Sequence, residues 1–372
     1  MKKRSKKTFG YFFSIIVYTI IGLLCGIICG GKILTLTDSY NFLVLEVSFL
    51  LILLLGIYLH VILHEGGHLV FGLLTGYTFV SFRISSFMLI KTGDGLKLKR
   101  YSIAGTGGQC LMSPPPLNDD GTFPYALYNL GGSISNAAFS TLALLIYLAA
   151  DKESFFSVFL IMFTIIGYGM ALLNGIPLRM GEINNDGYNA LNLGNSPLAL
   201  RSLWLQLRIN ADMALGKRLK DINPEWFFMP DDLSDAITAG YASFVLSREL
   251  DKLNLDKAYE YGTYILENSE GLLGVHETAI KAELLYIELL GRRDGVTIDR
   301  LYNDVRKSLK ASRISPSSAR IMYAFELIYN GDKAAADRYL GLFEKAVCTY
   351  PNAGVIESER ELLSLVDSRA EA

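Results

Sequence analysis

Hydrophobic residues are distributed along this chain in two different ways. In the first half they fall in long, almost uncharged runs; in the second they recur every three or four positions among charges. Four runs exceed the roughly 20 residues that cross a bilayer: Gly10 to Leu34, Phe42 to Leu74, Tyr125 to Ala150 and Phe155 to Leu178. Each predicts a membrane helix. Between the second and third, Thr78-Phe79-Val80-Ser81-Phe82-Arg83-Ile84 alternates as a strand does, and Thr92-Gly93-Asp94-Gly95 can turn, so 78–112 reads as a β-hairpin insertion. Pro197 to Lys220 predicts an amphipathic helix with Trp204 and Leu207 on one face and Arg201 and Arg208 among its basic positions. It suits a membrane interface, or equally the domain that follows.

From Asp232 onward the pattern is one of helix pairs. Asp256-Lys257-Ala258 recurs as Asp332-Lys333-Ala334, with a turn at Arg293-Asp294-Gly295 midway, a spacing of 38 residues taken twice. That predicts three stacked helical hairpins of the tetratricopeptide kind, offering a groove to a protein or peptide partner. An irregular helical bundle is the alternative. The expected fold class is mainly α: a polytopic membrane domain of about four spans with a small β-hairpin insertion, then a cytoplasmic all-α domain. Its expected parts are 1–41, an N-terminal membrane helix and outer loop; 42–195, the membrane core; 196–231, the amphipathic helix and linker; and 232–372, the helical domain.

Charge orients these elements. Lys2, Lys3, Arg4, Lys6 and Lys7 precede the first run, which is longer than a signal-peptide core and lacks an Ala-x-Ala site, so it reads as a retained helix. With that basic end cytoplasmic, the first helix goes out and the second returns; Arg83, Lys91, Lys97, Lys99 and Arg100 fall in a cytoplasmic loop. The C-terminal half is then cytoplasmic too, in an integral multi-pass protein of a bacterial cell membrane. The 372 residues suffice for two domains, and a net charge of −2 gives no reason to expect a nucleic-acid partner. Cys25, Cys29, Cys110 and Cys348 form neither a disulfide framework nor a structural zinc pattern.

The chemistry concentrates near the end of the second run, in His64-Glu65-Gly66-Gly67-His68. Two histidines four apart share a helix face, as one metal ion requires, and the intervening glutamate can reach a water on that ion. Ionisable groups are costly in membrane helices, which favours function over a pair of histidines satisfied by backbone. His60, one turn earlier, reads as a support behind the ligands or simply as polar lining. Glu46 is about 27 Å from His64 along the helix and cannot share the ion. A catalytic zinc takes three protein ligands. The fourth run returns to the same side and ends in Asn174-Gly175-Ile176-Pro177, followed by Asp186-Gly187. Asp186 is the candidate third ligand, with an ordinary Asn-Asp-Gly turn as its competing reading.

These residues resemble the site-2 proteases, intramembrane zinc metalloproteases marked by H-E-x-x-H on one membrane helix and N-x-x-P followed by D-G on a later one. A further family motif, G-P-x-x-N, is approximated by Gly132-Ser133-Ile134-Ser135-Asn136, with Ser133 where the family has proline. The resemblance covers roughly residues 42 to 195. It implies one Zn²⁺ per chain held by His64, His68 and Asp186, with Glu65 as the catalytic base. It also implies that Asn136 and Asn174 hold substrate backbone or oxyanion, where a plain reading has them bridging helices. The substrates implied are membrane-spanning proteins or leftover signal peptides. Many members place four residues between the proline and the aspartate; this chain has eight, Leu178 to Asn185, and among them Glu182 is a rival ligand. Two other classes stay open: a membrane-anchored scaffold with a vestigial metal site that recruits a partner through its helical domain, and a carrier using the intramembrane polar groups.

Overall fold

The structure, a computed structural model, describes residues 2–37, 39–102, 106–151, 153–181, 183–291, 294–312 and 315–370, with side chains from Gly10 onward. It divides into two compact units, residues 1–85 with 104–197 and residues 86–103 with 198–372.

The first unit is built on four helical stretches long and apolar enough to cross a membrane. α1 (Lys2–Leu24) continues through a widened turn at Cys25–Cys29 into α2 (Gly30–Leu34). α3 (Phe42–Leu74) starts at Asn41, whose side chain accepts from the Val44 amide at 3.0 Å. Its 33 residues extend about 50 Å, more than a bilayer's hydrocarbon thickness, and His64 lies in its C-terminal third. Leu50, Leu51 and Leu54 point outward on it. Water would penalise that surface, whereas lipid tails solvate it. α4 (Tyr125–Ala149) packs on α3, and α5 (Phe155–Gly175), capped by Ser154, packs on both; α1 packs on α5. The fourth apolar run extends to Leu178, but its helix stops at Gly175, because Pro177 pushes Ile176 out of helical conformation.

The connection from α3 to α4 carries β1 (Thr78–Ile84), β2 (Phe87–Thr92), β3 (Gly95–Arg100) and β4 (Gly108–Ser113). In the first unit β1 pairs antiparallel with β4, with a register shift between Phe79 and Ser81. That irregularity breaks the simple alternation. Arg83, expected among the exposed basic loop residues, is buried and donates to Ser85 O at 2.8 Å and to Thr106 Oγ1. In the second unit β2 and β3 form a hairpin across Gly93-Asp94, with Gly95 at φ +113°, a conformation glycine adopts without cost. After α5 come two short paired strands, β5 (Arg179–Met180) and β6 (Ile183–Asn184), and then α6 (Asp186–Asn192).

The second unit continues with α7 (Pro197–Ala214), α8 (Ala236–Asp251), α9 (Leu255–Asn268), α10 (Gly274–Leu290), α11 (Gly295–Ala311), α12 (Pro316–Ala324), α13 (Lys333–Thr349) and α14 (Ala353–Ala370). α7 stops short of the predicted Lys220, because Gly216 takes φ +93° and turns the chain. It packs on this unit: Trp204 meets Trp226 edge-on, and Gln206 donates to Ile237 O at 2.9 Å. Consecutive helices from α8 to α13 pack as neighbours, and α8, α10, α12 and α14 also touch one another. These four form an inner layer; α8 and α12 are buried almost all round, and α10 is so from Leu284 to Leu290. α9, α11 and α13 cover them with one apolar stripe each, such as Ile298, Leu301, Val305 and Leu309 of α11. Asp294 and Asp332 cap α11 and α13 by accepting from Thr297 and Ala335 amides. The 38-residue recurrence therefore marks the starts of the outer helices. Within this layer Arg320 is fully buried, donating to Glu359 Oε2 at 2.7 Å and to both Glu283 oxygens, with its guanidinium 4.1 Å from the Tyr286 ring centre. His276 lines a cavity of about 280 Å³ with Phe244, Glu283 and Arg320, and burial pushes its imidazole below the usual histidine range.

Candidate metal centre

Helical periodicity puts His64 and His68 on one face of α3, and glycines let α4 approach that face closely. A Cβ on Gly67 would lie 2.6 Å from the Gly131 carbonyl carbon and 2.7 Å from Ser135 Cβ. One on Gly132 would lie 2.5 Å from His64 Nδ1 and 2.6 Å from its Nε2. Gly67 thus sets the spacing of the two helices, and Gly132 leaves room for the His64 ring. A Cβ on Gly66 would meet nothing within 4 Å, so of the two motif glycines only Gly67 is required by packing.

Hydrogen bonds then aim the rings. His68 Nδ1 lies 2.7 Å from Tyr128 O. A carbonyl only accepts, so Nδ1 carries the proton and the Nε2 lone pair is free. That Nε2 is 3.2 Å from His64 Nε2, the rings lie 84° apart, and Asp186 Oδ2 is 3.0 Å from His64 Nε2 and 3.5 Å from His68 Nε2. Ligand atoms of all three residues fall within 4.8 Å of one another. The His68 Nε2 lone pair and the Asp186 carboxylate both face this point, and a cation placed among them would relieve their repulsion. Two neutral nitrogens and one carboxylate oxygen, three ligands in all, are the donor set of an open catalytic zinc site. The residues fit a Zn²⁺ ion.

The path of Asp186 to this point was only half legible in the sequence. Asn185, which the sequence reading passed over, organises it. Its Oδ1 accepts from Leu178 N at 3.0 Å and Tyr188 N at 2.9 Å, and its Nδ2 donates to Leu173 O and Ile176 O, both at 2.6 Å. One buried amide thereby satisfies carbonyls released at the end of α5, and caps α6. An asparagine immediately before a short helical stretch is the signal that could have found it. The long spacing between Pro177 and Asp186 is taken up by the β5–β6 hairpin, whose base is closed where Asn185 N donates to Leu178 O at 3.2 Å. Gly187 then allows α6 onto the end of α5, since a Cβ there would lie 2.6 Å from Gly175 C. Asp186 is the first residue of α6 rather than part of a free turn.

Glu65 is half-buried against β4: its carboxylate accepts from the Cys110 amide, and a Cβ on Gly108 would lie 2.6 Å from Glu65 Cγ. Asn136 is fully buried between two imidazoles, at 3.3 Å from His64 Nδ1 and 3.2 Å from His60 Nδ1. Asn174 donates to Met170 O at 3.1 Å, a bond within its own helix. His60 is buried away from the Asp186 carboxylate and pairs with Asn136 and Phe163 O. Glu182 lies outside the described residues. Glu46 is exposed near the opposite end of α3. Compared with known families, curated proteins and solved structures, the chain matches none.

Proposed function

We propose that this protein is a membrane-embedded zinc metalloendopeptidase that hydrolyses peptide bonds in or near transmembrane segments of protein or signal-peptide substrates. One observation carries the reading: His64 Nε2, His68 Nε2 and Asp186 Oδ2 converge beside Glu65 near one end of a membrane helix. The resemblance of the motifs to site-2 proteases supports the same reading. A Zn²⁺ ion bound to this triad would supply Lewis acidity toward a water and a peptide carbonyl. His64 and His68 contribute neutral nitrogens, and Asp186 offsets part of the charge. Glu65 takes a proton from the attacking water and passes it to the leaving amine. Its hydrogen bond from the Cys110 amide fixes the carboxylate's direction while the other oxygen serves that transfer. The substrate is a membrane-spanning helix that must locally unwind, since a hydrogen-bonded helix shields its carbonyls.

The orientation follows the basic N-terminus, with the helical unit in the cytoplasm. The inner and outer helix layers and the recurring outer-helix starts support a tetratricopeptide-like stack, a surface suited to a protein or peptide partner. The test compares purified full-length protein with Glu65→Gln on model membrane-spanning peptides, with zinc content measured in both. Cleavage by the unaltered protein alone, with zinc in both, is expected. Equal activity, or no zinc in either, removes the proposal.

A further inference from the structure

We infer that His60 is a positioning residue which, through Asn136, sets the tautomer of His64 so that its Nε2 lone pair faces the metal position. This rests on the metalloendopeptidase reading for its purpose, though not for its geometry. The chain of contacts starts at a group that cannot change its role. Phe163 O only accepts, and it lies 2.8 Å from His60 Nε2, so that nitrogen carries a proton. His60 is fully buried between apolar helices, against the Phe163 ring at 3.9 Å between centres, with no carboxylate among its partners in the described residues. A charged ring there would be uncompensated, so the ring is neutral and its Nδ1 is an acceptor.

Polarity then propagates outward. In the structure Asn136 Oδ1 lies 3.2 Å from His60 Nδ1 and Nδ2 lies 3.3 Å from His64 Nδ1; an acceptor Nδ1 on His60 requires the amide the other way round, with its NH₂ toward His60. The nitrogen and oxygen of an amide are nearly isosteric, and turning it over keeps both contacts within hydrogen-bond range. Turned this way, the Asn136 oxygen faces His64 Nδ1 and accepts its proton. His64 Nε2 is left with its lone pair toward His68 Nε2 and Asp186. His68 reaches the same state directly through Tyr128 O. Both histidines thus trace to a backbone carbonyl, one in a single step and the other through two side chains.

The packing makes room for this relay specifically. A Cβ on Gly167 would overlap the His60 ring and Ser140 Oγ, so α5 carries glycine where His60 passes. Gly132 does the same for His64. Ser140 Oγ donates to Asn136 O at 2.7 Å, holding the backbone that carries the amide.

The test uses the full-length protein in detergent, with Zn²⁺ affinity measured by chelator competition. It also uses ¹⁵N NMR on labelled histidines of the metal-free protein; the chain has only four. His60→Leu removes the acceptor, frees Asn136 to turn, and is expected to weaken Zn²⁺ binding about 10- to 100-fold. His64 Nδ1 should change from a protonated to an acceptor signature. Adding Asn136→Asp to His60→Leu supplies an acceptor-only group, which restores the His64 tautomer and most of the affinity. A purely structural role for His60 would not be rescued this way. Should His60→Leu fail to fold, the histidine ¹⁵N spectrum of the unaltered metal-free protein decides alone: a protonated His64 Nδ1 beside an unprotonated His60 Nδ1 supports the relay, and the reverse overturns it. Unchanged binding in His60→Leu or Asn136→Ala, or no rescue in a folded double variant, overturns the inference. Failure of the unaltered protein to bind Zn²⁺ would instead sink the metalloendopeptidase reading, while the NMR signature would still report on the relay.

Discussion

Gly66 and Gly67 are neighbours in one helix, and the structure assigns them opposite responses to the same change. Gly67→Ala brings a methyl carbon to 2.6 Å from Gly131 C and 2.7 Å from Ser135 Cβ. Carbon atoms settle at about 3.5–4.0 Å, so α3 and α4 must separate by about 1 Å. The nearest obstacle is backbone, which has no rotamer to yield. Overpacking of this kind costs about 1–3 kcal/mol. Gly66→Ala meets nothing and gains up to about 1 kcal/mol from helix propensity. Gly67→Ala shares that propensity gain, so the two variants should differ by the overpacking cost, about 1–3 kcal/mol. Zinc affinity gives a second readout. The Asn136 contact with His64, at 3.3 Å, is already near the limit of a hydrogen bond, and an opening of about 1 Å breaks it. Thermal unfolding of the full-length protein in detergent, with Zn²⁺ titrated against a chelator, should show Gly67→Ala less stable and weaker in metal binding. Gly66→Ala should match or exceed the unaltered protein. If Gly67→Ala proves as stable and as tight as Gly66→Ala, the close approach of α3 and α4 is wrong.

Three further outcomes are expected. Asn185→Ala strips partners from Leu173 O, Ile176 O and Leu178 N, and at about 1–3 kcal/mol for a buried group left unpaired it should destabilise the first unit and weaken Zn²⁺ binding; an unchanged affinity would show that Asp186 is positioned otherwise. Arg320→Ala leaves Glu283 and Glu359 facing each other without a cation and should cost about 3–5 kcal/mol, read as a lower thermal midpoint of the second unit; a loss below about 1 kcal/mol would contradict the buried network. The paired Arg218 guanidinium holds the Glu361 carboxyl down at about 2, below its unfolded value of about 4.3, so its contribution is present above about pH 4.3 and lost as pH falls through about 2. Glu361 is partly exposed, so the effect stays under about 1 kcal/mol; the stability gap between the unaltered protein and Glu361→Gln should close on acidification, and a pH-independent gap would refute the pairing.

The four helices long and apolar enough to cross a membrane, and the placing of His64, Glu65 and His68, were legible because their information is local. A run of apolar residues specifies a span by length alone, and a separation of four in a helix specifies a shared face whatever surrounds it. The same holds for the starts of α11 and α13, announced by capping aspartates. Legibility failed where a residue's role depended on a distant partner. Arg83 read as a loop charge and is a buried brace; Asn185 carried no conspicuous motif and ties together the end of α5 and the start of α6.

What the chain order by itself determined is therefore which helices form and which two histidines face the same way. Only the tertiary structure decided that Asp186 reaches them, because a loop of eight residues can be placed in many ways until Asn185 and the β5–β6 hairpin close it. It also decided that His60 belongs to His64 through Asn136, a link spanning 72 positions between His64 and Asn136. Hydrogen-bond polarity passes through space and not along the backbone, so no spacing rule could have revealed it.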